Sequence, residues 1–103
     1  MSYLAIWEFH VKPDSIPIFE KIYGPDGDWA QLFLRSAEYI GTKLIRDLNQ
    51  PGRYLTLDCW TSRDALQRFK HDYQSGYSTL DKQCESLTEQ ERLIGEFETT
   101  RAA

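Results

Sequence analysis

Four titratable side chains on predicted strands have the types and spacing that acid–base chemistry needs. Glu8 and His10 stand two residues apart on one strand, and Asp58 and Glu96 fall on strands expected to flank it. A carboxylate inside a covered sheet is unfavourable unless it is paired, so these acids need partners. One interpretation is a catalytic set with His10 as general base, and the other, which we favour, is an ionic cluster at a dimer interface. Its candidate basic partners are Lys43 and Arg46.

Aromatic side chains supply a second set of candidates, for binding. Rings from a strand and two helices could enclose a flat aromatic ligand, since ligand pockets are largely apolar. Rings at helical spacing more often pack in a core, and that alternative is favoured. The hydroxyls of Tyr73 and Tyr77 could bind or deprotonate a phenol if a base lay close. The candidate lining residues are Trp7, Phe33, Phe69, Tyr73 and Tyr77, and the weak catalytic candidates are His10, Asp58 and Tyr73.

Metal, nucleotide and thiol chemistry are not expected. His10 and His71 are isolated and have no second ligand at metal-binding spacing, so we predict no metal site. No glycine-rich loop follows a strand at dinucleotide-binding spacing, and no cofactor is predicted. Cys59 and Cys84 form no CxxC pair and have no neighbouring His to support them, so both are expected as free thiols.

These side chains are positioned by a pattern of strands and helices that runs through the chain. Residues 3–11 alternate between two faces as a strand does, and Gly41 is a candidate β-bulge in the next strand. Thr61 and Asp64 match a capping box ahead of a long helix. The predicted strands cover residues 3–11, 39–48, 53–60 and 92–99, and the predicted helices begin at residue 16, cover 29–36 and cover 62–85.

The order of these elements predicts a fold class. Strand, helix, strand, strand, helix, strand is the α+β, ferredoxin-like βαββαβ arrangement, with an antiparallel four-stranded sheet and the helices on one side. The uncovered face of such a sheet is ordinarily polar, but here it carries Leu4, Ile6, Leu55 and Leu57. A second copy related by two-fold symmetry is the simplest cover, so a homodimer through the sheet face is predicted.

Composition limits the remaining functions. The 103 residues are 41% hydrophobic and 14% aromatic, which favours one packed domain over residues 1–103. The net charge is −4 and the basic residues are dispersed, which argues against binding to nucleic acid. No apolar stretch approaches the roughly 20 residues of a membrane helix, so no membrane partner is predicted. No signal peptide is visible, and a cytoplasmic location is expected.

Three segments carry a likeness to a known family. They are the opening strand over residues 3–9, the Tyr39-Ile40-Gly41-Thr42 entry to the second strand, and residues 54–62, which end in a Trp60-Thr61-Ser62 join between strand and helix cap. Together they resemble the antibiotic-biosynthesis-monooxygenase (ABM) type of dimeric α/β-barrel protein, over nearly the whole chain. Residues 23–29 look like the mark of an uncharacterised subgroup.

The resemblance implies an assembly and a range of activities. In such families two ferredoxin-like chains pack sheet against sheet, and each keeps a small pocket between its own sheet and helices. Some members oxidise polycyclic phenols or quinols with O₂ and no cofactor, and others degrade haem. The haem-degrading branch has an Asn on the first strand and a Trp and a His on the long helix, where this chain has Trp7, Phe69 and Ser78. Haem degradation is therefore not expected.

Two functions remain open at the level of sequence. The leading hypothesis is a homodimer that binds a small aromatic molecule and acts as a cofactor-independent monooxygenase on a phenol or quinol. The alternative is a non-catalytic ligand-binding or stress-related homodimer. A likeness of fold does not select between them, because one fold hosts many functions.

Overall fold

Residues 1–100 are described in this computed structural model, and they form four strands and four α-helices. Short 3₁₀ turns at Pro13–Ser15 and Glu85–Leu87 join some of them. In chain order the elements are β1 (Tyr3–Val11), α1 (Ile16–Tyr23), α2 (Asp28–Phe33), β2 (Tyr39–Arg46), β3 (Arg53–Trp60), α3 (Arg63–Asp72), α4 (Gln74–Cys84) and β4 (Thr88–Glu98).

The strands form one antiparallel sheet in the order β2-β3-β1-β4. β1 pairs with β3 on one side and β4 on the other, so Trp7 lies opposite both Thr56 and Leu93. On the inner face of β1, Tyr3, Ala5, Phe9 and Val11 are buried against the helices and Trp7 is half-buried, and this face carries the core. The predicted ferredoxin-like α+β fold is confirmed.

The core is dominated by aromatic rings. Phe19 and Trp60 are fully buried, and the ring of Phe33 meets those of Trp60 and Phe69 edge-on, each with its centroid 5.4 Å away. Edge-to-face pairs contribute about 0.5–1.5 kcal/mol each beyond the area they bury, and they fix the orientation of the rings. The packing of these rings therefore fixes the helices against the inner face of the sheet.

The single helix predicted over residues 62–85 is instead two helices. α3 ends at Asp72 and α4 begins at Gln74, because Tyr73 has φ −119° and ψ 31°, outside the helical region. Ser75 and Gly76 follow the break, and both are weaker helix formers than Ala, so little local preference opposes it. The first helix is capped by Ser62, whose Oγ accepts a hydrogen bond from the backbone N–H of Ala65 at 3.0 Å, and not by Thr61 as predicted.

Other predicted boundaries shift by a few residues. β4 begins at Thr88 and not at residue 92, because Thr88 already pairs with Val11 at the end of β1. α2 ends at Phe33, with Leu34 as its C-cap, and β2 ends at Arg46. The predicted bulge in β2 is confirmed by a register shift between Tyr39 and Gly41.

Candidate functional site

A cavity opens between the inner face of the sheet and the helices. The space between its atoms is about 510 Å³ including the part open to solvent, and about 70 Å³ of it admits the centre of a water molecule. Six of the lining side chains are aromatic: Trp7, Phe9, Tyr23, Trp29, Phe33 and Tyr77. The polar lining consists of Thr42, Thr56, Asp58, Asp81 and Glu91.

The aromatic wall is held in place by contacts between its own rings. The Trp29 ring meets the Tyr77 ring edge-on with the centroids 5.0 Å apart, and the Phe33 ring lies 5.8 Å from Trp29. These residues come from α2 and α4, while Trp7 and Phe9 come from β1. Because three elements supply packed rings, the wall is formed before any ligand arrives.

Asp58 is the carboxylate set into the sheet side of this cavity. Thr42 Oγ1 donates a hydrogen bond to Asp58 Oδ1 at 2.8 Å, and Tyr39 Oη lies 2.6 Å from Thr42 Oγ1. Burial raises the pKa of Asp58 to about 6, against the opposing effects of the Thr42 hydrogen bond and the positive charge of Lys70. A carboxylate with that pKa is a competent general base near neutral pH.

Two further carboxylates, Asp81 and Glu91, stand at the exposed mouth of the cavity. Burial and the charge of Asp81 raise the pKa of Glu91. Burial, followed by the charges of Asp81, Asp58 and Glu91, raises the pKa of Tyr77 to about 12. Tyr77 is therefore protonated at neutral pH, where its hydroxyl is a hydrogen-bond donor and not a base.

The structure places three of the five predicted lining residues on the cavity wall and two elsewhere. Trp7, Phe33 and Tyr77 line the cavity, and their role in binding stays a prediction. Phe69, only 2% exposed, packs between Phe33 and Trp60 in the core. Tyr73 lies at the break between α3 and α4, with its ring 5.1 Å from that of Phe69 and the guanidinium of Arg35 at 5.9 Å. Neither Phe69 nor Tyr73 is on the cavity wall, which corrects the predicted lining role of both and the catalytic role of Tyr73 in this cavity.

Glu8 and His10 lie on the other face of the sheet, because the side chains of β1 alternate. Arg53 Nε and Arg92 Nε each donate to one carboxylate oxygen of Glu8 at 2.6 Å. These two hydrogen bonds lower the pKa of Glu8 to about 2. Glu8 is thus part of an ionic cluster, whose partners are these arginines and not Lys43 or Arg46. The predicted place of that cluster at a dimer interface stays a prediction.

His10 and Glu96 do not join Asp58. His10 Nε2 lies 3.7 Å from Glu8 Oε1, on the face away from the cavity, which corrects its candidate role as general base there. Glu96 accepts a hydrogen bond from Tyr3 Oη at 2.7 Å and pairs with Arg63 at 3.2 Å. The expected grouping of four titratable residues is wrong, because Asp58 and Glu96 both pair with Ala5, whose side chain faces inward.

The sequence did not single out several residues of the site. Phe9 could have been found, since it stands two residues after Trp7 on the same strand face. Trp29 and Tyr23 have the helical spacing of ordinary core residues, and nothing local marks them as cavity residues. Thr42 lies directly opposite Asp58 in the ladder of β2 and β3, and Tyr39 joins it on that face only because of the bulge in β2.

Thiol chemistry and metal binding are other kinds of chemistry considered from the sequence. Cys59 and Cys84 are free thiols, as predicted, and burial raises the pKa of Cys84, the opposite of the shift that activates a thiol. Over residues 1–100, no group of three or more His, Cys, Asp or Glu side chains is arranged to hold a metal ion. Across the same residues, no helix has the length and apolar character needed to cross a membrane.

Several solved structures share this fold. A mutant of SnoaB, described as a cofactor-independent oxygenase from Streptomyces nogalater, has a TM-score of 0.74 and 18% identity, covering 98% of this chain and 95% of that one. A candidate antibiotic biosynthesis monooxygenase from Deinococcus radiodurans has a TM-score of 0.76 and 15% identity, covering 98% and 95%. One from Bordetella bronchiseptica has a TM-score of 0.74 and 18% identity, covering 97% and 98%.

The likeness is one of structure. No protein-family model matches the sequence, and no curated protein matches it. Two of these three neighbours are described as antibiotic biosynthesis monooxygenases, so the resemblance stated from the sequence is confirmed at the level of fold. At identities of 15–18%, the comparison establishes the fold and leaves the reaction to be argued from the site.

Proposed function

We propose that the cavity binds a small aromatic phenol or quinol and that the protein oxidises it with O₂, using Asp58 as the base. The observation that carries this proposal is a carboxylate with a pKa of about 6 inside an aromatic-lined cavity. Perturbed titratable groups in clefts are frequent at functional sites. SnoaB, a cofactor-independent oxygenase, shares this fold, which supports the same chemistry.

The reaction balances without an added reductant. Asp58 takes a proton from the phenol, whose keto tautomer holds two hydrogens on one ring carbon, and the resulting anion supplies electrons to O₂. One oxygen atom enters as a carbonyl at that carbon, and the other leaves as water. The substrate supplies all four electrons that O₂ accepts. O₂ adds to the ring carbon as a peroxide. When the remaining C–H bond of that carbon breaks, its electrons form the carbonyl and cleave the O–O bond. The proton from that C–H bond and the proton held by Asp58 leave with the distal oxygen as water, so the carboxylate is regenerated.

The charge of the lining indicates which phenols fit. Three carboxylates and two threonines face the cavity, while the lining identified within residues 1–100 has no Lys or Arg. Such a lining accepts hydrogen bonds from ligand hydroxyls or an ammonium group, and it repels an anion. The substrate we propose is therefore a neutral or cationic aromatic with hydroxyl donors, and not an aromatic acid.

The proposed working unit is a homodimer joined through the outer face of the sheet. Ile45 and Phe97 on that face are 45% and 48% exposed in the single chain, and Ile6 and Leu57 lie between them. A second copy would bury this apolar area and form the dimeric α/β barrel. One domain over residues 1–103 and a cytoplasmic location stay predictions from the sequence.

Oxygen uptake tests the proposed reaction. Purified protein is incubated with a panel of naphthols and dihydroxynaphthalenes, and O₂ consumption and quinone absorbance are followed. We expect uptake above the protein-free rate, and Asp58→Asn should lower it by roughly 100-fold or more, the usual contribution of a general base. Asp72→Asn, an exposed carboxylate at the end of α3, is the matched control and should leave the rate unchanged.

The same panel of compounds distinguishes the oxidase from the alternative, a non-catalytic ligand-binding protein. Binding can be followed through the fluorescence of Trp7 and Trp29, which line the cavity. Ligands that bind without any O₂ uptake would support the non-catalytic ligand-binding homodimer. If no compound of the panel binds and none is oxidised, both functions are contradicted.

A further inference from the structure

The bulge in β2 changes which of its side chains face the cavity. Tyr39 pairs with Trp60, and Gly41 pairs with the adjacent Cys59, so Ile40 is an additional residue in the ladder. In a regular strand, side chains three residues apart point to opposite faces. The extra residue instead brings the hydroxyls of Tyr39 and Thr42 together on the inner face, 2.6 Å apart.

The two hydroxyls and Asp58 form a hydrogen-bond chain with one direction. Thr42 has a single hydroxyl proton, which it donates to Asp58 Oδ1 at 2.8 Å. Because that proton is used, Tyr39 is the donor in its contact with Thr42 Oγ1. Asp58 Oδ2 receives no hydrogen bond from the part of the chain that the structure describes, which leaves it for a ligand.

We infer that Tyr39 and Thr42 are positioning residues for Asp58, which hold Oδ1 and leave Oδ2 as the oxygen that takes the substrate proton. The catalytic part of this inference rests on the proposed function. The hydrogen-bond chain itself is a property of the free protein, so it can be tested without turnover. Its origin is the bulge, which brings Tyr39 to the same face as Thr42, the residue that pairs with Asp58.

Other groups around Asp58 also affect its pKa, and they must stay the same in that test. Burial raises its pKa, and the Thr42 hydrogen bond and Lys70 lower it. A substitution in β2 leaves the surrounding charged and titratable groups in place, so a shift reports on the chain of hydroxyls. Those groups are Tyr3 on β1, Lys70 on α3, Tyr77 and Asp81 on α4, and Glu91 on β4.

The experiment is a carboxyl-carbon NMR titration of Asp58 in the full chain. Thr42→Val removes the donor that favours the ionised carboxylate, so the midpoint should rise by about one pH unit. Thr42→Ser keeps a hydroxyl and should titrate like the wild type. Tyr39→Phe removes the second donor and leaves Thr42 free to rotate, so its midpoint should rise by a smaller amount.

The outcomes separate this inference from the proposed reaction. Unchanged midpoints in Thr42→Val and Tyr39→Phe would overturn it, as would a Thr42→Ser midpoint that moves as far as that of Thr42→Val. If Thr42→Val does not fold, Tyr39→Phe decides the question alone. Oxygen uptake by the same variants is scored separately, so absent uptake with shifted midpoints contradicts the oxidation and supports the positioning role.

Discussion

Asp58 and Glu8 show how one sheet gives two carboxylates different properties. On the outer face, two arginines hold Glu8 and lower its pKa to about 2. On the inner face, Asp58 has one neutral hydroxyl as its donor, and burial raises its pKa to about 6. Charged donors stabilise an ionised carboxylate far more than a neutral hydroxyl does. The first residue is therefore suited to structure and the second to proton transfer.

The raised pKa of Asp58 predicts a stability cost that depends on pH. The folded state binds the proton more tightly than the unfolded state, so stability falls as pH rises from about 4 to about 6. Above that window the ionised carboxylate costs at most about 3 kcal/mol. We expect Asp58→Asn to be more stable than the wild type at pH 8, by up to that amount, and to show little gain at pH 4. Urea denaturation at both pH values measures the difference, and an equal change at both would contradict the assignment.

Glu8 predicts the opposite dependence on pH. Its pKa lies below the ordinary value in the folded state, so its stabilising contribution is present above about pH 4.5 and is lost as pH falls towards 2. We expect Glu8→Gln to be less stable than the wild type at pH 7. This difference in stability should disappear as the pH is lowered towards 2. Thermal melts over this range test it, with Glu89→Gln, an exposed carboxylate of β4, as the control. A gap that stays constant with pH would contradict the prediction.

At the scale of elements, strands bounded by turn residues were predictable and the helical break was not. β1 and β3 have the predicted bounds, because each is a clean alternating segment that ends in turn formers. The helical periodicity continues through Tyr73, and the weak helix formers Ser75 and Gly76 lie beyond the break and not at it. The break also explains why Phe69 packs in the core while Tyr77 lines the cavity, since one helix face does not continue across it. Likewise, the contact between Tyr39 and Thr42 was missed, because the bulge places these two residues, three apart in sequence, on the same face.

Two glycines give a matched test of the turn and the bulge. Gly52 has φ +84°, and an added Cβ would lie 3.0 Å from the carbonyl oxygen of Val11. We expect Gly52→Ala to destabilise the fold by roughly 1 kcal/mol or more, since left-handed backbone is strained for Ala. At Gly41, the added Cβ would meet nothing within 4 Å, so Gly41→Ala should be neutral or stabilise by up to about 1 kcal/mol. Equilibrium denaturation compares them, and equal effects would contradict the assigned backbone roles.

At the scale of the whole molecule, the charges around the cavity come from separate elements. β3 supplies Asp58, α4 supplies Asp81 and β4 supplies Glu91, and the chain as a whole carries a net charge of −4. We expect a hydroxynaphthoate to bind roughly 10-fold or more weakly than the matching naphthol, because its carboxylate meets these acids. Tryptophan fluorescence titration measures both affinities. Glu91→Gln should reduce the difference between the two affinities. Equal affinities in the wild type would contradict the proposed preference for a ligand without a carboxylate.

The outer face of the sheet gives the prediction for assembly. Leu57 lies at its centre, opposite Ile6 on one strand and Lys43 on the other. If two copies meet through this face, Leu57→Asp replaces an apolar contact with a carboxylate that must lose its water in each half of the interface, a cost that the neighbouring Lys43 offsets only in part. That substitution should weaken dimerisation by roughly 100-fold or more.

Leu34→Asp is the control, because Leu34 is 59% exposed beyond the end of α2 and not on the sheet. Sedimentation at micromolar concentration should show a dimer for the wild type and for Leu34→Asp, and a folded monomer for Leu57→Asp. A wild type that sediments as a monomer would mean that this apolar face is not an interface between copies.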